Sequence, residues 1–436
     1  MKTKSGIHNI GLISLGCAKN LIDAELLMRQ LEANKFKLVF DPVDHKKIDT
    51  AIINTCGFIN DAKQESIDTI LQYVQAKQLG LIQHVYVMGC LSERYLSKMK
   101  EEIPEVDAFF GVNDLKKIVS HIGGTYRTDL VGERKLTTPS HYAYLKIAEG
   151  CDRKCSFCAI PVIRGKHRSR PMEDIVSEAS RLVSSGIKEI NIISQDTTYY
   201  GLDLYKKRLI PELLDTLANL KGLEWIRLHY TYPDGFPDEL LDVVRSHDNI
   251  CNYIDMPLQH ISDRILKSMH RGMDATTTRK LVEKIRKTIP GVALRTTLIA
   301  GYPGETEKEF RELKGFIEEF RFERLGVFAY SHEENTSAFT LKDSVPSKRK
   351  MERVGELMEL QEGISLSINQ LKTGQTLKVL IDRKEGDFYV ARTEHDSPEV
   401  DNEVLISSDG KKLIPGLFCN VKIIKAESFD LYAELD

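Results

Sequence analysis

Residues 142–158 read YAYLKIAEGCDRKCSFC, an apolar run that ends on a loop carrying Cys151, Cys155 and Cys158. The run Tyr142 to Ala148 has the composition of a buried strand. Five further runs follow: Glu189 to Ser194, Leu223 to Tyr230, Tyr253 to Met256, Val292 to Ala300 and Arg324 to Tyr330, each ahead of a helical pattern. Strands that alternate with helices form a parallel sheet. Six βα units predict an open, partial (βα)6 barrel, because a full eight-unit barrel needs more chain. Functional residues of such a barrel stand just past the carboxyl ends of the strands, where the three cysteines fall.

Upstream, residues 9 to 122 alternate short apolar runs with amphipathic stretches. Strands are predicted at Ile10 to Leu15, Thr50 to Asn54 and His84 to Met88, and helices at Leu21 to Ala33 and Asp61 to Gln78. This predicts a small Rossmann-like α/β domain. Gly123, Gly124 and the polar stretch Gly132 to Ser140 read as a linker. Downstream of a charged helical stretch, Ser347 to Gln370, the β-prone runs are Leu377 to Asp382, Phe388 to Arg392, Glu403 to Ile406, Phe418 to Ile424 and Asp430 to Ala433. Turn signals at Glu385-Gly386 and Asp409-Gly410 separate some of them, which predicts a small five-stranded β-barrel. The expected class is α/β, divided into an N-terminal domain (1–122), the partial barrel (140–346), a linking helix (347–369) and the small β-barrel (370–436). The sequence contains no internal repeat and no low-complexity tract.

Composition agrees with such a chain: 436 residues, 42% hydrophobic and 29% charged, suffice for about three domains. No stretch approaches the roughly 18 apolar residues of a membrane span, and Met1 to Asn9 lacks the apolar block of a secretory signal. A cytoplasmic address is expected, and with it eight cysteines that serve as metal ligands or catalytic thiols in preference to disulfides. A net charge of -3 argues against a nucleic-acid binder without excluding one.

Three thiolates on one CxxxCxxC loop can hold three irons of a cubane cluster. No fourth cysteine lies nearby, so one iron stays open and can chelate the amino and carboxylate groups of S-adenosylmethionine. An electron from the cluster then breaks the sulfonium bond and makes a carbon radical. A zinc site completed by His167 is the alternative, although structural zinc favours paired CxxC spacing. Three more cysteines, Cys17, Cys56 and Cys90, each end a predicted strand with a glycine beside it. Ends of neighbouring parallel strands converge, and glycine lets backbone approach a bulky cluster; as single residues, such cysteines are also ordinary small core residues. Cys251 and Cys419 lack that setting and read as packing residues.

The run Arg164 to Arg170, close to the cluster loop, is expected to hold anionic groups in the active site; an RNA patch and a solvated charged face are the other readings. Round the barrel mouth the fold places Ser194-Gln195-Asp196, His229-Tyr230, Pro257 to His260, Gly301 to Glu305 and Tyr330 to Glu334. Gly301 to Glu305 is the best cofactor candidate, since its glycines open the backbone and Glu305 either anchors the loop or contacts the cofactor.

The cysteine loop, with Phe157 inside its CxxxCx(aromatic)C motif, resembles the radical S-adenosylmethionine superfamily. That resemblance implies a four-iron, four-sulfur (4Fe-4S) cluster on Cys151, Cys155 and Cys158, and Phe157 near the adenine of the cofactor. It also implies a cofactor contact at Gln195, where Ser194-Gln195-Asp196 replaces the usual glycine, glycine, glutamate element. The three segments in this order are similar to the methylthiotransferase family, whose last domain is of the TRAM type. Ser14 to Asn20, Asn54 to Ile59, Cys158 to Pro161 with Arg164-Gly165, and Asp255 to His260 resemble the branch whose substrate is ribosomal protein S-twelve.

The family resemblance implies a second 4Fe-4S cluster on Cys17, Cys56 and Cys90, and two molecules of S-adenosylmethionine consumed in adding a methylthio group to the β-carbon of an aspartate. Its implied partners are S-twelve or the small ribosomal subunit, and an electron donor such as flavodoxin or ferredoxin. No catalytic residue beyond the cluster ligands is implied. The tRNA-modifying branch carries an arginine, proline, glycine run after the last barrel strand, where this chain has Ser331 to Thr336, so neither a tRNA partner nor a membrane is expected. The competing readings are a tRNA adenosine methylthiotransferase and an iron–sulfur electron-transfer or cluster-delivery protein. Residues 370–436 hold 9 Lys and Arg against 13 Asp and Glu. Glu394, Asp396, Glu399, Asp401 and Glu403 are therefore expected to form a docking face for a basic protein, with a solvated loop as the alternative.

Overall fold

The computed structural model describes residues 9–407, 410 and 412–436. Asp409, half of one expected turn, lies outside the described residues. The chain divides into two compact units: residues up to 137 with 149–152 and 159–167, and residues 138–148, 153–158 and 168–436.

The first unit is built on five parallel strands: β1 (Asn9–Ser14), β2 (Lys37–Phe40), β3 (Thr50–Thr55), β4 (His84–Gly89) and β5 (Ala108–Phe109), in the order β2-β1-β3-β4-β5. Alternation sends Ile10 and Leu12 to one face, against Leu27 and Leu31 of α1 (Ala18–Ala33). Ile13, Ile53, Val85 and Val87 go to the other face, against Ile70, Tyr73 and Val74 of α2 (Asn60–Gln78). Both faces are covered, as a parallel sheet requires. Strands β2 and β5 have no clear sequence signal, because β2 is a partly exposed edge and β5 is two residues long. Helix α1 starts at Ala18 and not at the expected Leu21, since Lys19 and Asn20 are polar yet buried. A third helix, α3 (Cys90–Glu102), is broken by non-helical backbone at Tyr95, which scrambles its apolar spacing.

This strand order reverses direction between β1 and β3. Doubly wound sheets bind ligands in the crevice at the carboxyl ends of the two strands flanking such a reversal.

In the second unit, β6 (Tyr142–Lys146), β7 (Glu189–Ile193), β8 (Trp225–Leu228), β9 (Ile250–Asp255), β10 (Ala293–Ala300) and β11 (Arg324–Ala329) pair in sequence order, all parallel. The six expected strands are present and form an open sheet. Helix α4 (Ser347–Gln370) leads to β12 (Thr376–Glu385), β13 (Phe388–Thr393), β14 (Glu403–Ser407), β15 (Phe418–Ala426) and β16 (Asp430–Leu435), which close into a barrel. Val379, Ile381, Val404, Ile406, Val421 and Ile423 fill that barrel. Cys419 packs at its edge and Cys251 is buried beside Trp225, so both are packing residues.

The acidic C-terminal segment, expected as a docking face, is partly tied down within its own unit, while Glu399 stays exposed. Asp396 pairs with Arg324, at the start of β11. Asp401 accepts from Tyr253 Oη at 2.7 Å and from Arg295 at 3.4 Å, Glu399 from Tyr142 Oη at 2.9 Å, and Glu394 from the Asn252 amide at 3.0 Å. Glu403 pairs with Arg383 at 2.8 Å. These carboxylates meet cations and hydroxyls of their own unit, a pairing that charge composition alone could not reveal. Beside them lies a buried network: Glu189 binds Arg227 at 3.0 Å and Arg392 at 2.7 Å, while Asp382 binds Arg392 at 2.6 Å and His141 at 2.8 Å. A buried charge persists only with such partners. Among the described residues no helix is long and apolar enough to cross a membrane.

Candidate metal centres

Cys17 and Cys56 follow β1 and β3, the strands that flank the direction reversal, and Cys90 follows β4, the next strand along. Cys17 caps the start of α1 and Cys90 opens α3. Cys56 is fixed through its backbone: its amide donates to Ser66 Oγ at 3.0 Å and its carbonyl accepts from the same hydroxyl at 2.9 Å.

Asn20 ties the three loops together. Its Nδ2 donates to the carbonyls of Leu15 and Thr55, both at 3.0 Å, and its Oδ1 lies 3.4 Å from Cys90 Sγ. A Cβ on Gly16 (φ +87°) would sit 2.7 Å from Cys56 Cβ and 3.0 Å from its Sγ, so only glycine leaves this space open. Burial pushes the Cys90 thiol up to about 12 against the pull of Arg164, and burial likewise raises Cys56. A metal must displace those protons as it binds. Among the described residues no three His, Cys, Asp or Glu side chains converge as on one small ion. A cubane, whose sulfur ligands each take a different iron, asks for wider spacing. Three thiols, each able to take a different iron, suit such a group by ligand type, and Gly16 keeps open the space beside Cys56.

On the CxxxCxxC loop, the Cys151 amide donates to the Gly165 carbonyl at 3.1 Å within the first unit. In the second unit Ser156 anchors the loop. Its amide donates to Met269 O at 3.0 Å, its carbonyl accepts from Ala338 N at 2.7 Å, and its hydroxyl reaches Ser268 O and Tyr302 Oη, each at 2.8 Å. Phe157 packs with Ile265, Met269, Ile299, Tyr302 and Tyr330. Cys155 Sγ lies 3.4 Å from Tyr232 Oη and 3.3 Å from Arg271 Nη1. The Tyr232 ring has Arg153 at 4.0 Å and Arg271 at 4.2 Å from its centroid, and Arg153 is itself held by Asp196 at 2.8 Å and Asp234 at 3.0 Å. Tyr230 (φ 56°) and Gln259 (φ 73°) sit nearby in left-handed backbone, the sort of strain that collects at functional sites.

Comparison with known proteins follows the same division. Residues 145–317 match the radical SAM superfamily, 9–111 an uncharacterized protein family, UPF0004, and 373–435 a TRAM domain. The ribosomal protein uS12 methylthiotransferase RimO of Cytophaga hutchinsonii is 54% identical over 98% of this chain and 97% of its own. That of Flavobacterium johnsoniae is 54% identical over the full length of both. The chain belongs to the RimO family. Among solved structures, the radical S-adenosylmethionine methyltransferase TsrM from Kitasatospora setae superposes with a TM-score of 0.54 at 14% identity, covering 74% of this chain and 75% of that one, and so shares the fold. As a radical SAM enzyme, a RimO chain works with an iron–sulfur cluster and S-adenosylmethionine.

Several of the expected mouth residues have other duties in this RimO-family chain. The Glu305 carboxylate accepts from Gly301 N at 2.9 Å and pairs with Arg353 at 2.6 Å, with His260 facing it at 3.4 Å. It therefore anchors the Gly301 to Glu305 loop, which is the first of the two roles expected of it. His229 is buried, with Asn191 and Ser397 each 3.3 Å and Asp255 3.5 Å away. Asp196 holds Arg153, while its neighbour Gln195 is half-buried at the end of β7. Of the basic run, Arg164 is paired with Asp23 and Glu149, and Arg170 with Glu178. Sequence reasoning missed Asn20, Tyr232 and Arg271. Only Asn20 left a signal, as a polar residue three places after Cys17 inside an amphipathic helix.

Proposed function

We propose that this chain transfers a methylthio group to the β-carbon of an aspartate in ribosomal protein S-twelve, free or within the small subunit, in the cytoplasm. It does so with two 4Fe-4S clusters, one held by Cys17, Cys56 and Cys90 and the other by Cys151, Cys155 and Cys158. The placing of the first triad after the adjacent strands β1, β3 and β4, in a chain kin to RimO over its whole length, carries this reading. An electron carrier or cluster-delivery protein has no need of a six-stranded barrel with a built loop at Gly301 to Glu305.

When bound, the clusters and S-adenosylmethionine supply the methylthio group and the radical that removes hydrogen from a carbon with no acidic proton. The protein's own part is placement. Ser156 and Arg153 fix the cysteine loop, and Arg271 with Tyr232 orients Cys155. Phe157 and Gln195 are proposed as cofactor contacts, with Gly301 shaping the backbone that Glu305 anchors. No general base is required. A donor of the flavodoxin or ferredoxin class supplies electrons.

The test is anaerobic reaction of the reconstituted chain with isolated S-twelve and, separately, with tRNA, followed by mass analysis of each. A modified aspartate peptide with unmodified tRNA is expected. A methylthiolated nucleoside with unmodified S-twelve would transfer the assignment to the tRNA branch.

A further inference from the structure

Arg164 lies in the short helix Ile160–Arg164 and is 2% exposed, within the first unit. Its Nη1 meets Asp23 at 3.0 Å and Glu149 at 3.1 Å and 3.2 Å. Its Nη2 donates to Asn20 Oδ1 at 2.5 Å and reaches Cys90 Sγ at 3.4 Å. Ala159 and Ile163 pack against Cys90 and Val112, which keeps the contact dry. A guanidinium buried so deeply requires compensation, and the two carboxylates provide it. They do not explain why the second edge of the fork is turned onto a cysteine sulfur and onto Asn20, the side chain that joins all three cysteine loops.

We infer that Arg164 is a positioning residue for the cluster of the first unit, holding Cys90 through Asn20 and placing a fixed positive charge against a ligand sulfur. This rests on the reading that Cys17, Cys56 and Cys90 hold a cluster. Net charge and hydrogen bonds to the sulfurs set the potential of such clusters. A cation beside the sulfur favours the reduced, more negative form, so Arg164 raises the midpoint potential.

The experiment uses the full chain with Cys151, Cys155 and Cys158 changed to Ala, reconstituted anaerobically with iron and sulfide, so that one cluster is observed. Iron per chain, the midpoint potential by electron paramagnetic resonance, and the rate of iron loss to a chelator are measured with Arg164, Arg164→Gln and Arg164→Lys. Arg164→Gln should lower the one-electron equilibrium at least tenfold, a fall of about 59 mV. Arg164→Lys keeps the charge but loses the fork. It should hold the potential within that margin and lose iron at least threefold faster.

A potential unchanged in Arg164→Gln overturns the charge role. Should that variant fail to fold, Arg164→Lys decides: a tenfold fall overturns the charge role, and iron retention equal to the parent overturns the positioning role. Absence of iron from the parent triple variant itself would instead refute the cluster on Cys17, Cys56 and Cys90, and the inference with it.

Discussion

Replacing Arg392 with Met should destabilise the second unit severely. The Arg392 guanidinium contacts Glu189 at 2.7 Å and 3.3 Å, Asp382 at 2.6 Å and 2.9 Å, and the Asp396 carbonyl at 3.1 Å. Glu189 is fully buried. Methionine matches the stem but leaves Glu189 with Arg227 alone and Asp382 with His141 alone. Removing one partner of a buried ion pair costs about 3–5 kcal/mol, because the other charge stays behind. Set against a typical domain stability of about 5–15 kcal/mol, that loss moves a urea midpoint visibly. The chain's only tryptophan is a suitable reporter, since Trp225 packs edge-on against Phe418 of the small barrel with ring centroids 4.8 Å apart. Adding Asp382→Asn should recover roughly 1–2 kcal/mol, because Asp382 is then left with His141 alone whereas Glu189 keeps Arg227. A loss below about 1 kcal/mol in Arg392→Met, or no recovery in the double variant, would show that the network is solvated and refute the buried-charge argument.

Changing Cys151, Cys155 and Cys158 together to Ala should leave about half the iron and abolish formation of deoxyadenosine; loss of all iron from a folded variant would show that the two triads are not independent. Cys17→Ala, Cys56→Ala or Cys90→Ala should each still cleave S-adenosylmethionine while failing to insert the methylthio group, and normal insertion by any of them would make that cysteine a packing residue. Acid should unfold the second unit in a defined window. Burial would raise the Asp255 carboxyl, yet Arg295 and His229 beside it hold it at about 2. Its contribution of about 2–3 kcal/mol is present in full above pH ~4 and lost as pH falls through about 2, so Asp255→Asn should flatten stability across that window. An equally steep fall in Asp255→Asn would assign the slope to other carboxylates. Glu399 is exposed although it accepts from Tyr142 Oη, so Glu399→Lys should weaken S-twelve binding severalfold at low salt, and unchanged binding would reject a docking role.

The barrel strands were legible because each is an apolar run followed by helical spacing, and the two cysteine triads because thiols recur at strand ends. The pattern failed where burial and polarity part company. Asn20 and Lys19 are polar residues inside the core side of α1, and β2 is an edge whose residues stay half-exposed. Charge was the least readable property. Asp396, Glu399 and Asp401 look like part of a surface patch in one dimension, but Arg295, Arg324, Tyr142 and Tyr253, more than 60 residues upstream, are what they bind. Glu305 shows the same limit, since its partner Arg353 lies on a helix that the sequence assigns only to linking.

The most direct test of the central claim is mass analysis of ribosomal protein S-twelve from cells that lack this gene, complemented with the intact chain or with Cys17→Ala. The account predicts an unmodified aspartate in the deletion, a methylthiolated one with the intact chain, and an unmodified one with the variant. A methylthiolated S-twelve in the deletion strain, together with loss of a methylthio nucleoside from its tRNA, would contradict it.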